Sequence, residues 1–203
     1  MIPVSKQLAP ADFDARVAKK GKRFLSKNPN PKKWKNHNYW TAVLPDLWSV
    51  YSSVCAYCCH WIPLEQGSAT VDHFLPKSVY PDLAYEWDNY RLASSKLNAK
   101  KGVATDVMDP FELKPFSFIL LFPAMLVKPQ PDLENDEKKR LWATIDRLGL
   151  NDDEALVQSR YKWVEAYSDG KISFNFLLEK APFIASEIDR QNLHGSLSIM
   201  FSR

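Results

Sequence analysis

Apolar positions along this chain follow two spacings. Between Tyr39 and Ser53, the residues Trp40, Val43, Leu44, Leu47, Trp48 and Tyr51 recur three and four apart, which predicts a helix packed by one face. Pro45 either bends that helix or marks its true start. The same spacing relates Phe13 and Val17 after Pro10 and predicts a short helix over Ala11–Ala18, with Gly21 as its end. After Pro131, Leu141, Ile145 and Leu148 line one side of a helix ending near Gly149. The Asn-Asp-Asp-Glu at 151–154 caps a further helix to about Tyr167, Asp169-Gly170 is a turn, and a last helix begins near Pro182. Residues 116–128 are densely apolar and predict two short strands meeting near Phe122–Ala124, whereas the Asn, Pro and Lys of residues 26–36 predict a loop.

In the middle of the chain the pattern shortens. Thr70–His73 reads as a strand ending in Asp-His, and Pro76 and Pro81 mark an irregular connection. Asn89 opens a second short strand, Tyr90–Ala93. Ser94 or Ser95 caps a short helix through Lys101, and Gly102 stops it. The order is strand, loop, strand, helix. The chain reads as α+β: a basic N-terminal arm with helices over 1–53, a central core over 54–110, and short strands with C-terminal helices over 111–203, all in one compact, mostly helical unit. The 203 residues suffice for such a domain.

Composition narrows the setting. The longest apolar run, around Phe116–Val127, is interrupted by Pro123 and falls well short of the roughly 20 residues of a membrane-spanning helix. The first residues lack a basic-then-apolar signal pattern, so a cytoplasmic protein with no membrane partner is expected. Cys55, Cys58 and Cys59 are clustered and are the only cysteines, which argues against a disulfide framework. The net charge of +3 hides an asymmetry: residues 1–40 carry ten Lys/Arg against Asp12 and Asp14, while the remainder holds 17 basic and 22 acidic residues. A basic arm on a mildly acidic body points to a polyanion partner, although a solvated charged arm accounts for the numbers as well.

The strand–loop–strand–helix segment carries candidate chemistry. Hydrolysing a phosphodiester needs an activated water and stabilisation of charge on the phosphate and the leaving oxygen. Histidine titrates near neutral pH, so His73 can take the water's proton. Asp72 and the side-chain carbonyl of Asn98 are suitable oxygen ligands for an ion such as Mg²⁺ if strand and helix face each other. Asn89 could fix the ring of His73. Lys77, Arg91, Lys100 and Lys101 are candidates for phosphate contacts, with solvated charge the equal alternative for each. Trp87 is read as core packing, Asp109 before Pro110 as a turn cap, and His37 and His194 receive no role. A cysteine nucleophile near Cys58–His60 is not expected.

These residues, Asp72-His73, then Asn89, then Asn98 with Lys101 three positions on, resemble the signature of the HNH (ββα-metal) endonucleases. The resemblance covers about a quarter of the chain. It implies a ββα-metal motif at the centre, His73 as general base, Asp72 and Asn98 as ligands of a divalent metal (Mg²⁺ first, Mn²⁺ second), Asn89 as the residue positioning the base, and DNA as substrate. Residues 71–78, 85–94 and 145–152 look closest to HNH proteins of bacterial anti-phage systems, Septu-type and retron-associated, which implies a partner ATPase or retron component. One departure stands out. Many HNH proteins brace the site with two Cys-x-x-Cys pairs around a structural zinc, and here Cys55 and Cys58 supply only the first, with Lys96-Leu97 before Asn98 where a cysteine would be common. Structural zinc is therefore not expected, and Leu97 packs in its place. The competing reading is a nucleic-acid-binding or assembly module that keeps the HNH fold as a scaffold without catalysis.

Overall fold

The structure, a computed structural model, describes residues 1–201; the last two positions of the expected 111–203 segment lie outside the described residues. The chain divides into two interleaved units. One is built from Ser5–Cys55 and Ile62–Thr105, the other from Met1–Val4, Ala56–Trp61 and the chain from Asp106 onward. This differs from one compact unit with a central block over 54–110. The segment Ala56–Trp61 leaves that block because its bonds lie with later helices: Trp61 N donates to Lys180 O at 2.7 Å, and the His60 ring pairs with Ser159 Oγ at 3.2 Å.

The first unit contains helices α1 (Lys19–Lys27) and α2 (Leu44–Val50), strands β1 (Ala69–His73) and β2 (Tyr90–Ser94), and helix α3 (Ser95–Lys101). Gly21 does not end a helix. A π-helical turn over Asp14–Ala18 runs directly into α1, and Gly21 lies within it because an added Cβ would stand 2.1 Å from Tyr85 Cγ. Glycine is needed there for close packing of a ring rather than for termination. Pro45 sits in the first turn of α2, where its missing N–H costs nothing, after a 3₁₀ turn over Tyr39–Val43. Of the helical stripe, Trp40, Val43 and Leu47 are buried.

Strands β1 and β2 pair antiparallel, with Asp72 opposite Arg91 and His73 opposite Tyr90. Ser94 ends β2 and also caps α3, its Oγ accepting from Leu97 N at 3.3 Å. Gly102 closes the helix at φ 54°, ψ −124°, a region in which side chains are strained. Helix α3 thus folds straight back onto the strand pair, and Leu97, fully buried, anchors it.

In the second unit, β3 (Phe118–Leu121) and β4 (Leu126–Pro129) form an antiparallel hairpin, as the apolar run predicts. Helices α4 (Asn135–Leu148) and α5 (Glu154–Ser168) follow; Gly149 adopts the left-handed conformation after α4, and Asp153 Oδ1 caps α5. Helix α6 (Phe174–Lys180), capped by Ser173, was not expected from the pattern. Helices α7 (Pro182–Arg190) and α8 (Leu197–Met200) complete the unit. Its core gathers Leu120, Leu141, Ile145, Leu148, Val164 and Ile184. Helices and small antiparallel sheets together make the protein α+β. No helix among the described residues is long and apolar enough to cross a membrane.

Candidate active site

Strand β1 delivers Asp72 and His73 in sequence to its last two positions. Because α3 returns across the strand pair, the i, i+3 residues Asn98 and Lys101 face β1. Asn98 Nδ2 donates to Thr70 Oγ1 at 3.1 Å and to Val71 O at 3.4 Å. Lys101 Nζ donates to Asp72 Oδ1 at 3.0 Å and to His73 O at 2.9 Å. A cleft of about 180 Å³ opens over these groups, lined by Asp72, His73, Lys77, Asn98 and Trp34 among others.

His73 is 5% exposed. Its Nε2 lies 2.9 Å from Ala84 O. A carbonyl only accepts, so Nε2 carries the proton and the lone pair is on Nδ1. The ring is held edge-on between Trp40, with centroids 4.7 Å apart, and Tyr90, at 5.3 Å. Burial pushes its pKa down to about 3; Lys77 and Lys101 push the same way, and the bond to Ala84 opposes them. His73 is therefore a neutral imidazole of defined tautomer at physiological pH.

Asn89 does not bond the His73 ring. Its Oδ1 accepts from Leu75 N at 2.8 Å, and its Nδ2 donates to Leu75 O at 3.0 Å and Leu83 O at 3.1 Å. One buried amide thus ties both ends of the β1–β2 loop. Leu83 directly precedes Ala84, whose carbonyl holds the histidine, so Asn89 acts on the ring through the loop backbone.

The candidate phosphate contacts separate. Lys77 lines the cleft and lies over the Trp40 ring at 5.2 Å. Burial lowers its proton affinity first; Asp72 raises it and Lys101 lowers it further. Lys101, in contrast, has a side chain with 0% exposure, which corrects its assignment as a phosphate contact: it is the counter-ion of Asp72. Arg91 is corrected likewise. It is 3% exposed, donates from Nη1 to Asp88 O at 2.7 Å and Tyr90 O at 2.9 Å, and lies over the Phe74 ring. Both cations were drawn inward because backbone carbonyls and a carboxylate there satisfy them, which cannot be read from the residue type. Lys100 is half-buried on α3 and does not line the cleft. Trp87 is buried, with Nε1 donating to Gln7 O, and Asp109 Oδ1 caps a turn at Phe111 N.

Asp72 and Asn98 suit a hard divalent ion. Asn98 turns its amide nitrogen to β1, leaving its carbonyl oxygen as the remaining donor atom, and Asp72 contributes a carboxylate of which one oxygen pairs with Lys101. Mg²⁺ is commonly held by one or two carboxylates, with substrate phosphate and waters completing its shell, so a small all-oxygen donor set fits it. Among the described residues no group of three or more His, Cys, Asp or Glu side chains is placed to hold a metal ion. Cys55 is buried, its Sγ accepting from Ser94 N at 3.4 Å, and Cys58 lies in the other unit. Three contributors escaped the sequence reading: Trp34 in the cleft wall, and Trp40 and Tyr90 against the histidine. The apolar spacing marked Trp40 as core without revealing what it packs on.

No protein-family model matches the chain. The chain is similar to the Septu protein PtuB of Bacillus thuringiensis, 27% identical over 165 residues, covering 76% of this chain and 60% of the relative. It therefore spans less than two thirds of the length of the curated relative it matches.

Proposed function

We propose that this chain is a divalent-metal-dependent endonuclease of the HNH type that hydrolyses phosphodiester bonds in DNA and acts in Septu-type bacterial anti-phage defence. The observation that carries the reading is His73. It is a neutral imidazole fixed by a backbone carbonyl through Nε2, lining one cleft with Asp72 and Asn98. Similarity to the Septu protein PtuB supports the defence role and, with it, a partner protein, for which an ATPase or a retron component is the expected class.

In this reading Nδ1 of His73 takes the proton of the attacking water. A base of low proton affinity is a weak acceptor by itself, but the negative phosphodiester raises the ring's affinity for a proton as it enters. Asp72 and Asn98 would hold the metal, which when bound supplies stabilisation of the charge developing on the phosphate and leaving oxygen. Lys101 fixes the Asp72 carboxylate, Lys77 adds positive potential to the cleft, and Asn89 keeps the loop that presents Ala84 to the ring.

A second reading has one specific observation in its favour. The ammonium of Lys101 already neutralises Asp72, as it would in a scaffold that binds nucleic acid without cutting it. Supercoiled plasmid incubated with the protein and Mg²⁺ or Mn²⁺ separates the two. The nuclease reading expects nicked or linear product that EDTA abolishes, and loss of Mn²⁺ binding by calorimetry in Asn98→Ala with the fold intact by circular dichroism, the thermal midpoint falling only by what the bonds to Thr70 and Val71 contribute. Plasmid that the protein binds but that stays supercoiled at all metal concentrations is the outcome the scaffold reading expects instead.

A further inference from the structure

Helix α1 carries its cations on two kinds of face. Lys19 pairs with Asp14 at 2.9 Å and Lys22 with Glu86 at 3.7 Å. Lys20, Arg23 and Lys27, spaced i, i+3 and i+7, share a different face, and among the described residues no carboxylate pairs with them. They line one wall of an open pocket of about 350 Å³ in the first unit, separate from the cleft at His73. The other wall is aromatic. Phe24 stacks on His37, ring centroids 3.8 Å apart and planes 16° from parallel, and Tyr39 hydrogen-bonds His37 Nδ1 at 3.1 Å. All three rings are half-buried, so each is fixed by packing while part of its surface stays accessible.

Uncompensated cations beside fixed rings meet the two requirements of an unpaired nucleic-acid strand: phosphates need positive charge, and unstacked bases need a flat apolar face. A free phosphate or an acidic peptide would use the cations and leave the rings idle. Position supplies the second argument. Trp34 lines the His73 cleft and sets its ring 6.0 Å from Phe24 and 5.9 Å from Trp40, which itself stands against His73. The two pockets are thus flanking spaces joined through one indole.

We propose that the pocket of Lys20, Arg23, Lys27, Phe24, His37 and Tyr39 is a subsite for a single-stranded polynucleotide, holding the strand next to the phosphodiester presented to His73. This rests on the nuclease reading for its orientation, and on the pocket alone for its binding. Binding of a fluorescent oligothymidylate to the full chain in EDTA, followed by anisotropy over a series of KCl concentrations, tests it without any cleavage. Replacing Lys20, Arg23 and Lys27 together by alanine at these solvent-facing positions should leave the thermal midpoint unchanged. It should also lower the slope of log affinity against log salt by about 2, given roughly 0.7 per phosphate contact on single strands. An abasic oligonucleotide of the same length should bind the unaltered protein at least tenfold more weakly than oligothymidylate, since stacking on a ring is lost with each missing base. An unchanged slope would overturn the subsite. Equal binding of the abasic strand, or of polyglutamate, would overturn its assignment to nucleic-acid bases. Tighter binding of a duplex with the same slope change would overturn the single-strand assignment. A protein that binds as stated but never cuts would refute the nuclease reading and leave the subsite standing; cutting with an unmoved slope would do the reverse.

Discussion

Lys101→Met tests the idea that this lysine braces the site rather than meeting substrate. Methionine keeps most of the aliphatic stem and removes the ammonium, which makes two bonds, to Asp72 Oδ1 at 3.0 Å and His73 O at 2.9 Å. The Asp72 and Lys101 side chains are 2% and 0% exposed, so the variant leaves a carboxylate in the interior without its ammonium partner. Breaking a buried pair from one side typically costs about 3–5 kcal/mol. Lys77, whose proton affinity Asp72 raises, offsets part of this, which places the loss at about 3 kcal/mol. With a urea slope of about 2 kcal/mol/M, the unfolding midpoint should fall by roughly 1.5 M. Asp72→Asn in the Lys101→Met background should recover about half of the loss, because the uncompensated charge is then gone. A midpoint shift below about 0.5 M for Lys101→Met, or strict additivity of the two substitutions, would refute the buried-pair account.

Other outcomes follow from the same structure. Asn89→Ala removes three bonds that tie the loop and should cost about 3 kcal/mol in urea unfolding; Asn89→Asp keeps the acceptor to Leu75 N but sets a buried carboxylate oxygen against the Leu75 and Leu83 carbonyls, and should cost at least as much at neutral pH. Gly21→Ala should destabilise by about 2 kcal/mol in thermal unfolding because the Tyr85 ring occupies the Cβ position, whereas helix propensity alone predicts a gain of about 1 kcal/mol; a raised midpoint would refute the packing. Burial pushes the His60 pKa down to about 3, with Arg160 adding to the effect, so the folded state stays unprotonated where the unfolded chain charges. Stability from this group is intact above pH 6.5 and falls by about 1.4 kcal/mol per pH unit below it, until pH about 3. Urea midpoints at pH 7 and pH 5 should show the loss, and His60→Gln should lessen it.

The strand–strand–helix arrangement is legible in the sequence because each of its signals is local. Ser94 caps α3, Gly102 stops it, and Asp72, His73 and Asn98 take their faces from short regular elements. What stayed hidden depends on groups distant in the chain. Gly21 reads as a helix end because Tyr85, which requires it, is far away in sequence. Lys101 and Arg91 read as phosphate contacts because a cation is assumed exposed until its buried partners are known. Asn89 reads as a partner of the histidine ring, but it bonds backbone atoms of Leu75 and Leu83, and no sequence motif records backbone carbonyls. Helix α6 escaped notice because seven residues with Phe176 and Leu178 exposed give no clear apolar stripe. The two-unit division escaped it as well, since Ala56–Trp61 joins helices that come about a hundred residues later.

The central claim is that Nδ1 of His73 removes the proton from the attacking water. Cleavage of supercoiled plasmid in Mn²⁺ by His73→Ala, with and without added imidazole, tests it most directly. The account predicts a rate about 10²–10⁴-fold below that of the unaltered protein, unchanged Mn²⁺ binding, and partial recovery as imidazole is added. Cleavage by His73→Ala at the rate of the unaltered protein would contradict it.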